Sequence, residues 1–311
     1  MTRVFRQRGA GPRAALWLAV FGVFLFAVGA WCDERVQLFP RLHGGETLQY
    51  ESRARLNRYV KTKSNVATMF EPTPVQADIS MNLQLSVHDF HEMDHRPMMA
   101  AEAQLFSEDS SASATSTAPS HPTKIDFMIG GDGNLSLADG LDNLEPQLRM
   151  AWQFWVAQFA FGWTLPSSGA KPGEKWKTTE VETAPMPIAK LVWERETTYV
   201  QNEKCPIVPD QQCAVFLVTA TLKQKSNPQD TTPEDYKLNQ LKTSGTAKGS
   251  NQGAVYISRK TGLLVRATED IQQSLDVTIA KSDGSNQVQY LVDVTSHFET
   301  VFVPPALSAA R

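Results

Sequence analysis

The sequence predicts a mainly β protein of the α+β class: one antiparallel sheet of about ten strands with a single central aromatic helix. Three observations predict it. Face-alternating runs recur along most of the chain beyond residue 35, turn signals separate them, and one stretch, residues 146–163, breaks the alternation.

The chain opens on a segment of different character. Arg3, Arg6, Arg8 and Arg13 precede an apolar stretch from Ala14 to Cys32, and no acid occurs before Asp33. A basic start, an apolar run and small residues at Val28 and Ala30 describe an export signal cleaved after Ala30. The same run is long enough to remain as an uncleaved inner-membrane anchor reaching to about residue 32. Either way the arginines before the run orient the rest of the chain away from the cytoplasm, toward the periplasm or cell envelope. Trp31 stands where lipoprotein signals carry a small residue, so lipidation of Cys32 is not the expected outcome.

Strand-like runs follow near 47–60, 78–88, 98–106 and 124–129, then 176–184, 191–202, 213–224, 253–258, 263–279 and 286–298. Residues 78–88 are the clearest: Ile79, Met81, Leu83, Leu85 and Val87 share one face, and polar residues hold the other. That alternation suits an antiparallel sheet with one dry and one wet side. Gly131-Asp132-Gly133-Asn134 and Arg259-Lys260-Thr261-Gly262 read as hairpin turns. Residues 107–122 are rich in Ser, Thr, Ala and Pro and read as a flexible loop. Residues 226–252 read as a polar insertion holding at most a short helical turn, and 304–311 as a tail. The runs on both sides of these stretches are alike, so residues 36–303 are expected to form one domain. In an exported chain, Cys205 and Cys213 around a Pro-containing loop suggest a disulfide closing a hairpin, with a metal site as the weaker alternative.

Pro146 starts a helical stretch running to Trp163. At 100° per residue its apolar side chains form two stripes. Leu148, Trp152, Trp155 and Phe159 lie on one side; Met150, Phe154, Ala157 and Phe161 lie on the other, with Gln158 in a seam between them. A helix buried on both sides explains this. So does a helix with one stripe on the sheet and the other lining a cavity or forming a lid, which makes Trp152, Trp155, Phe159, Phe154 and Phe161 the candidate ligand-binding residues. Arg149 and three glutamines exclude a second membrane span.

Residues 91–95 match H-E-x-x-H, a spacing that on a helix sets His91 and His95 as zinc ligands with Glu92 activating water. Here the stretch follows the strongest β-pattern of the chain, and Pro97 comes just after it. A charged hairpin turn is therefore expected. Weak metal binding by His88, His91, Asp94 and His95, or a zinc site completed by Glu102, is the alternative. No nucleophile elbow, phosphate loop, dinucleotide fingerprint or C-x-x-C pair occurs, and no cofactor is implied.

The whole chain carries 30 basic and 33 acidic residues. Without residues 1–30, which hold four of the arginines and no acid, the balance is 26 to 33, a net charge of −7. An acidic exported domain argues against a nucleic-acid binder.

Two short stretches carry a family likeness. Tyr256-Ile257-Ser258-Arg259-Lys260-Thr261-Gly262-Leu263-Leu264 resembles the strand–KTG–strand hairpin of the LolA/LppX-like bacterial envelope proteins. Leu165-Pro166 followed by Lys171-Pro172-Gly173-Glu174-Lys175-Trp176 is similar to a phrase of exported bacterial domains. The resemblance implies a curved half-barrel whose concave side holds acyl chains under a helical plug or lid. Residues 36–47 depart from it, lacking the helix with which the carriers begin. The leading expectation is thus a non-enzymatic envelope protein that binds an apolar, lipid-like ligand. The alternatives are an envelope scaffold with a protein partner and, last, a zinc peptidase acting through His91, Glu92 and His95.

Overall fold

The computed structural model describes residues 35–64, 70–93, 96–109, 122–182 and 186–305. The expected export segment with Cys32, most of the Ser/Thr-rich loop, and the last six residues of the tail lie outside these. Among the described residues, no helix is long and apolar enough to cross a membrane.

Eleven strands form one open antiparallel sheet: β1 (Thr47–Ser64), β2 (Phe70–Met93), β3 (Arg96–Asp109), β4 (Thr123–Ile129), β5 (Leu135–Asp139), β6 (Lys175–Val181), β7 (Leu191–Lys204), β8 (Gln212–Gln224), β9 (Leu241–Ser258), β10 (Leu264–Lys281) and β11 (Val288–Phe302). Their order is β5-β4-β3-β2-β1-β11-β10-β9-β8-β7-β6. Two meanders therefore spread from the central β1–β11 pair, and the chain between β5 and β6 has to cross from one edge to the other. Helix α1 (Pro146–Phe159), prolonged by a tight 3-10 stretch over Ala160–Thr164, makes that crossing on the dry face. Pro146 sits in its first turn, where the missing N–H costs nothing.

The predicted alternation sets the faces. Ile79, Met81, Leu83, Leu85 and Val87 are buried on the same side as Leu48, Tyr50 and Ala54 of β1, opposite them in register. The sheet is strongly curved, as distances require. Trp152 of α1 meets Phe127 of β4 at 5.4 Å between ring centroids, and Phe161 just beyond α1 meets Phe216 of β8 at the same separation. Seven inter-strand gaps separate β4 from β8, roughly 34 Å on a flat sheet, whereas a helix with its side chains is only about 10–12 Å across. One helix reaches both because the sheet wraps around it.

The segment before β1 is extended rather than helical, and it closes one end of the sheet. Leu38 and Leu42 are buried, Val36 pairs with Ala170, and the Arg41 N–H donates to the Thr261 carbonyl. The glycine of the KTG turn is explained here. Gly262 has φ +69°, and a Cβ on it would lie 1.9 Å from the carbonyl oxygen of Phe39. Only glycine admits both that conformation and that contact.

Two expectations need correction or completion. Residues 241–252 do not belong to a polar insertion outside the fold: they are the first part of β9, paired with β10 and, from Gly249 on, with β8. Their inward positions hold only small or polar residues, Thr243, Gly245, Ala247, Gly249 and Asn251, so no hydrophobic alternation marks them. The short helical turn does occur, as α2 (Glu234–Leu238). The cysteine pair forms the Cys205–Cys213 disulfide, buried across the β7–β8 connection.

Candidate functional site

The helix is short relative to what it covers. Fourteen residues of α1 span about 21 Å, while the 18 residues of β1, β9 or β10 run to roughly 60 Å. Part of the concave face is therefore left without a helix. A cavity of about 980 Å³ occupies that region.

Its walls come from both partners. From α1 and the turn after it come Met150, Phe154, Ala157 and Phe161; the sheet supplies aliphatic side chains such as Leu56, Val255, Ile271, Val277 and Val292. The two stripes of the helix are thus placed differently. Trp152, Trp155 and Phe159 are almost completely buried in the solid core, in contact with one another and with Tyr50 or Phe127, and do not line the cavity. Phe154 is half-buried, stacked on Phe298 at 3.8 Å between centroids, and lines the cavity, as does Phe161. Of the five candidate ligand residues, the geometry brings two to the cavity. A second small core of Ile188, Leu191, Leu222, Ala247, Leu275 and Val277 lies toward the far end of the same face.

Charge is placed at the edges. Arg58 and Glu180 are exposed; Glu180 accepts a 3.1 Å hydrogen bond from Arg195, and Glu182 accepts one of 2.9 Å from the Trp193 indole. Polar groups also reach the interior. Glu269 of β10 accepts from the side-chain amides of Gln158, at 3.4 Å, and Asn251. Sequence reasoning set Gln158 in a seam of the helix, and missed Asn251 because β9 was read as insertion. The spacing Gly249-x-Asn251-x-Gly253 was the available signal: alternate glycines on a strand mark places where other groups approach the backbone closely. A Cβ at Gly249 would stand 3.0 Å from the Trp193 ring, and one at Gly253 2.5 Å from the Thr268 carbonyl oxygen.

His91, Glu92 and Met93 of the H-E-x-x-H stretch lie on β2. β2 runs through Met93 and β3 begins at Arg96, with His91 opposite Met98, so the helical spacing that zinc peptidases need is not formed. His91 is exposed and its Nδ1 lies 2.9 Å from Asp89. Asp94 and His95 lie outside the described residues. Glu102 faces instead toward His88 and Asp126, three side chains on the outer face whose ligand atoms lie within 4.8 Å of one another. Lys124 pairs with Glu102 at 3.4 Å. The Glu102 carboxyl is held below the usual range chiefly by a hydrogen bond from Gln104, with Lys124 and His88 adding to it.

Elsewhere the largest shift is at Tyr50. Its hydroxyl donates to the Leu264 carbonyl at 3.1 Å, and complete burial, with Glu46 adding, raises its pKa beyond the ordinary tyrosine range.

No protein-family model matches the chain, and no curated protein matches it. Among solved structures, two bacterial proteins that are themselves described only as putative match at low similarity. One is a lipoprotein of Parabacteroides distasonis, 9% identical, with a TM-score of 0.28 and coverage of 87% of this chain and 98% of its own. The other is an exported protein with a YmcC-like fold from Bacteroides fragilis, 10% identical, with a TM-score of 0.24 and coverage of 82% and 96%. The OpdQ protein of Pseudomonas aeruginosa follows at 7% identity and a TM-score of 0.20, covering 83% of this chain and 98% of its own. At such scores none of these bears on function.

Proposed function

We propose that this protein is a non-enzymatic component of the bacterial cell envelope that holds an apolar, lipid-like ligand between its curved sheet and helix α1. One observation carries the reading: a cavity of about 980 Å³, walled by the Phe154/Phe161 stripe and by aliphatic side chains of the sheet. That volume is at the upper end of what small-molecule sites offer, and a largely apolar lining with a few polar groups is the usual character of such sites. The envelope address rests on the basic and apolar N-terminal segment and on the buried disulfide, which suits an oxidising compartment.

Native mass spectrometry of the protein after mild extraction from its host tests this. The expected result is an adduct of several hundred daltons that organic solvent removes and that carries an acyl or isoprenoid chain. Protein that stays free of adduct, and that takes up no fluorescent apolar probe, overturns the reading.

A further inference from the structure

The proposed lipid-like ligand has a head as well as a chain, and three side chains inside the cavity bear on its chemistry. Gln158 of α1 and Asn251 of β9 are 6% and 7% exposed, and both line the cavity with Glu269 of β10. Each amide donates its nitrogen to the Glu269 carboxylate. A carboxylate only accepts, so these bonds fix which way each amide is turned. The carbonyl oxygens, Gln158 Oε1 and Asn251 Oδ1, are left buried without a partner. Two orphaned acceptors beside a carboxylate are costly in an apolar enclosure, and a donor supplied from outside would relieve them.

The opposite flank offers the complementary group. Arg195 of β7 lies in the same cross-strand row as Ala220 and Asn251, and it lines the cavity. Its guanidinium is tied to Glu180 through one terminal nitrogen, while its buried Nε has no acceptor. The glycines at 249 and 253, on either side of Asn251 along β9, admit the Trp193 ring and the Thr268 carbonyl close beside this polar row.

From this arrangement, and resting on the lipid-like reading above, we infer that the ligand is an amphiphile with a neutral, hydroxyl-bearing head group. Hydroxyls donate to Gln158 Oε1, Asn251 Oδ1 and Glu269, and accept from Arg195 Nε. A carboxylate head would meet three acceptors, one of them charged, against a single guanidinium already paired with Glu180. An ammonium head would satisfy the acceptors and leave Arg195 Nε unmatched and facing a like charge.

The test holds the chain constant and varies the head: monoolein, oleate and oleylamine each compete against a bound fluorescent apolar probe at pH 7.4. Monoolein is expected to compete about tenfold better than oleate and better than oleylamine, about one hydrogen bond to a charged group in size. Glu269→Gln, which keeps the shape and removes the charge, is expected to bring oleate to within about threefold of monoolein. Circular dichroism establishes that the variant is folded. Asn251→Ser, smaller and still polar, provides a second variant and is expected to weaken monoolein alone. Oleate equal to monoolein on the wild type, a ratio that both variants leave unchanged, or oleylamine as the tightest of the three overturns the inference while leaving the lipid-like reading intact. Failure of all three to compete overturns both.

Discussion

The two aromatic stripes of α1 make a prediction that separates packing from binding. Trp155 is fully buried and touches Tyr50, Phe127, Trp152 and Phe159 at centroid distances of 4.9–6.1 Å. Replacing it with alanine removes its burial and leaves a hole in solid core, a loss of about 4 kcal/mol. Phe154 is half-buried, with one face stacked on Phe298 and its remainder at the cavity. Phe154→Ala enlarges an existing space, so it loses part of the transfer energy and one stacking contact, about 2 kcal/mol. For a domain of this size each kcal/mol moves the melting temperature by roughly 2–4 °C, giving a drop of about 8–16 °C for Trp155→Ala and about 4–8 °C for Phe154→Ala. Binding should run in the opposite order. Measured well below both transitions, uptake of an apolar fluorescent probe should weaken in Phe154→Ala and persist in Trp155→Ala. Thermal unfolding by circular dichroism and probe titration on the same samples give both quantities. Equal destabilisation by the two variants, or loss of uptake in Trp155→Ala alone, refutes the assignment of the stripes.

Three further outcomes follow from local chemistry. Gly262→Ala forces a Cβ against the Phe39 carbonyl in a left-handed conformation, so residues 38–42 should lose their seat; a melting temperature lowered by several degrees and faster proteolysis near Pro40 check this. Replacing Cys205 and Cys213 together with alanine opens a loop whose ends are 8 residues apart, for which chain entropy gives about 2–3 kcal/mol, read as a lower urea midpoint in the absence of reductant. Tyr50 has a raised pKa in the folded state, so its contribution is fully present below the unfolded value of about 10 and is lost as pH rises above it. Tyr50→Phe should therefore cost about 1 kcal/mol at pH 7, through the lost bond to Leu264, and should flatten the fall in stability between about pH 10 and 11.5. A variant whose alkaline fall matches the wild type would remove Tyr50 from that account.

Much of this architecture was legible because a half-buried strand writes its burial every second residue. The alternation puts Ile79 to Val87 on one face, and that face is buried; the spacing of α1 divides its apolar residues into two stripes without saying what each covers. The first part of β9, to residue 252, was not legible, since its inward positions carry glycine, threonine, alanine and asparagine where the Trp193 ring and neighbouring strands approach closely. Absence of hydrophobic alternation there reflects close approach by Trp193, Thr231 and Thr232, and it was read as absence of a strand. The partition of the helix stripes between core and cavity was equally invisible. It depends on how far β10 and β11 extend past a 14-residue helix, and composition holds no trace of that. The H-E-x-x-H match shows the converse case, where a literal motif lost its chemical meaning once its first three residues lay on a strand instead of a helix.

The central claim is that the space beside Phe154 and Phe161 is the ligand site. Ala157 lines that space from α1 and is itself exposed, so a large side chain placed there projects into the cavity beside Phe154 and Phe161 without displacing core. The most direct measurement is fluorescence titration of N-phenyl-1-naphthylamine into the wild-type protein and into Ala157→Trp, with melting temperatures taken in parallel. Saturable enhancement by the wild type, lost or weakened at least about tenfold in a variant that melts within a few degrees of it, is the predicted result. Equal uptake by both proteins would contradict the claim and place any apolar ligand elsewhere on the molecule.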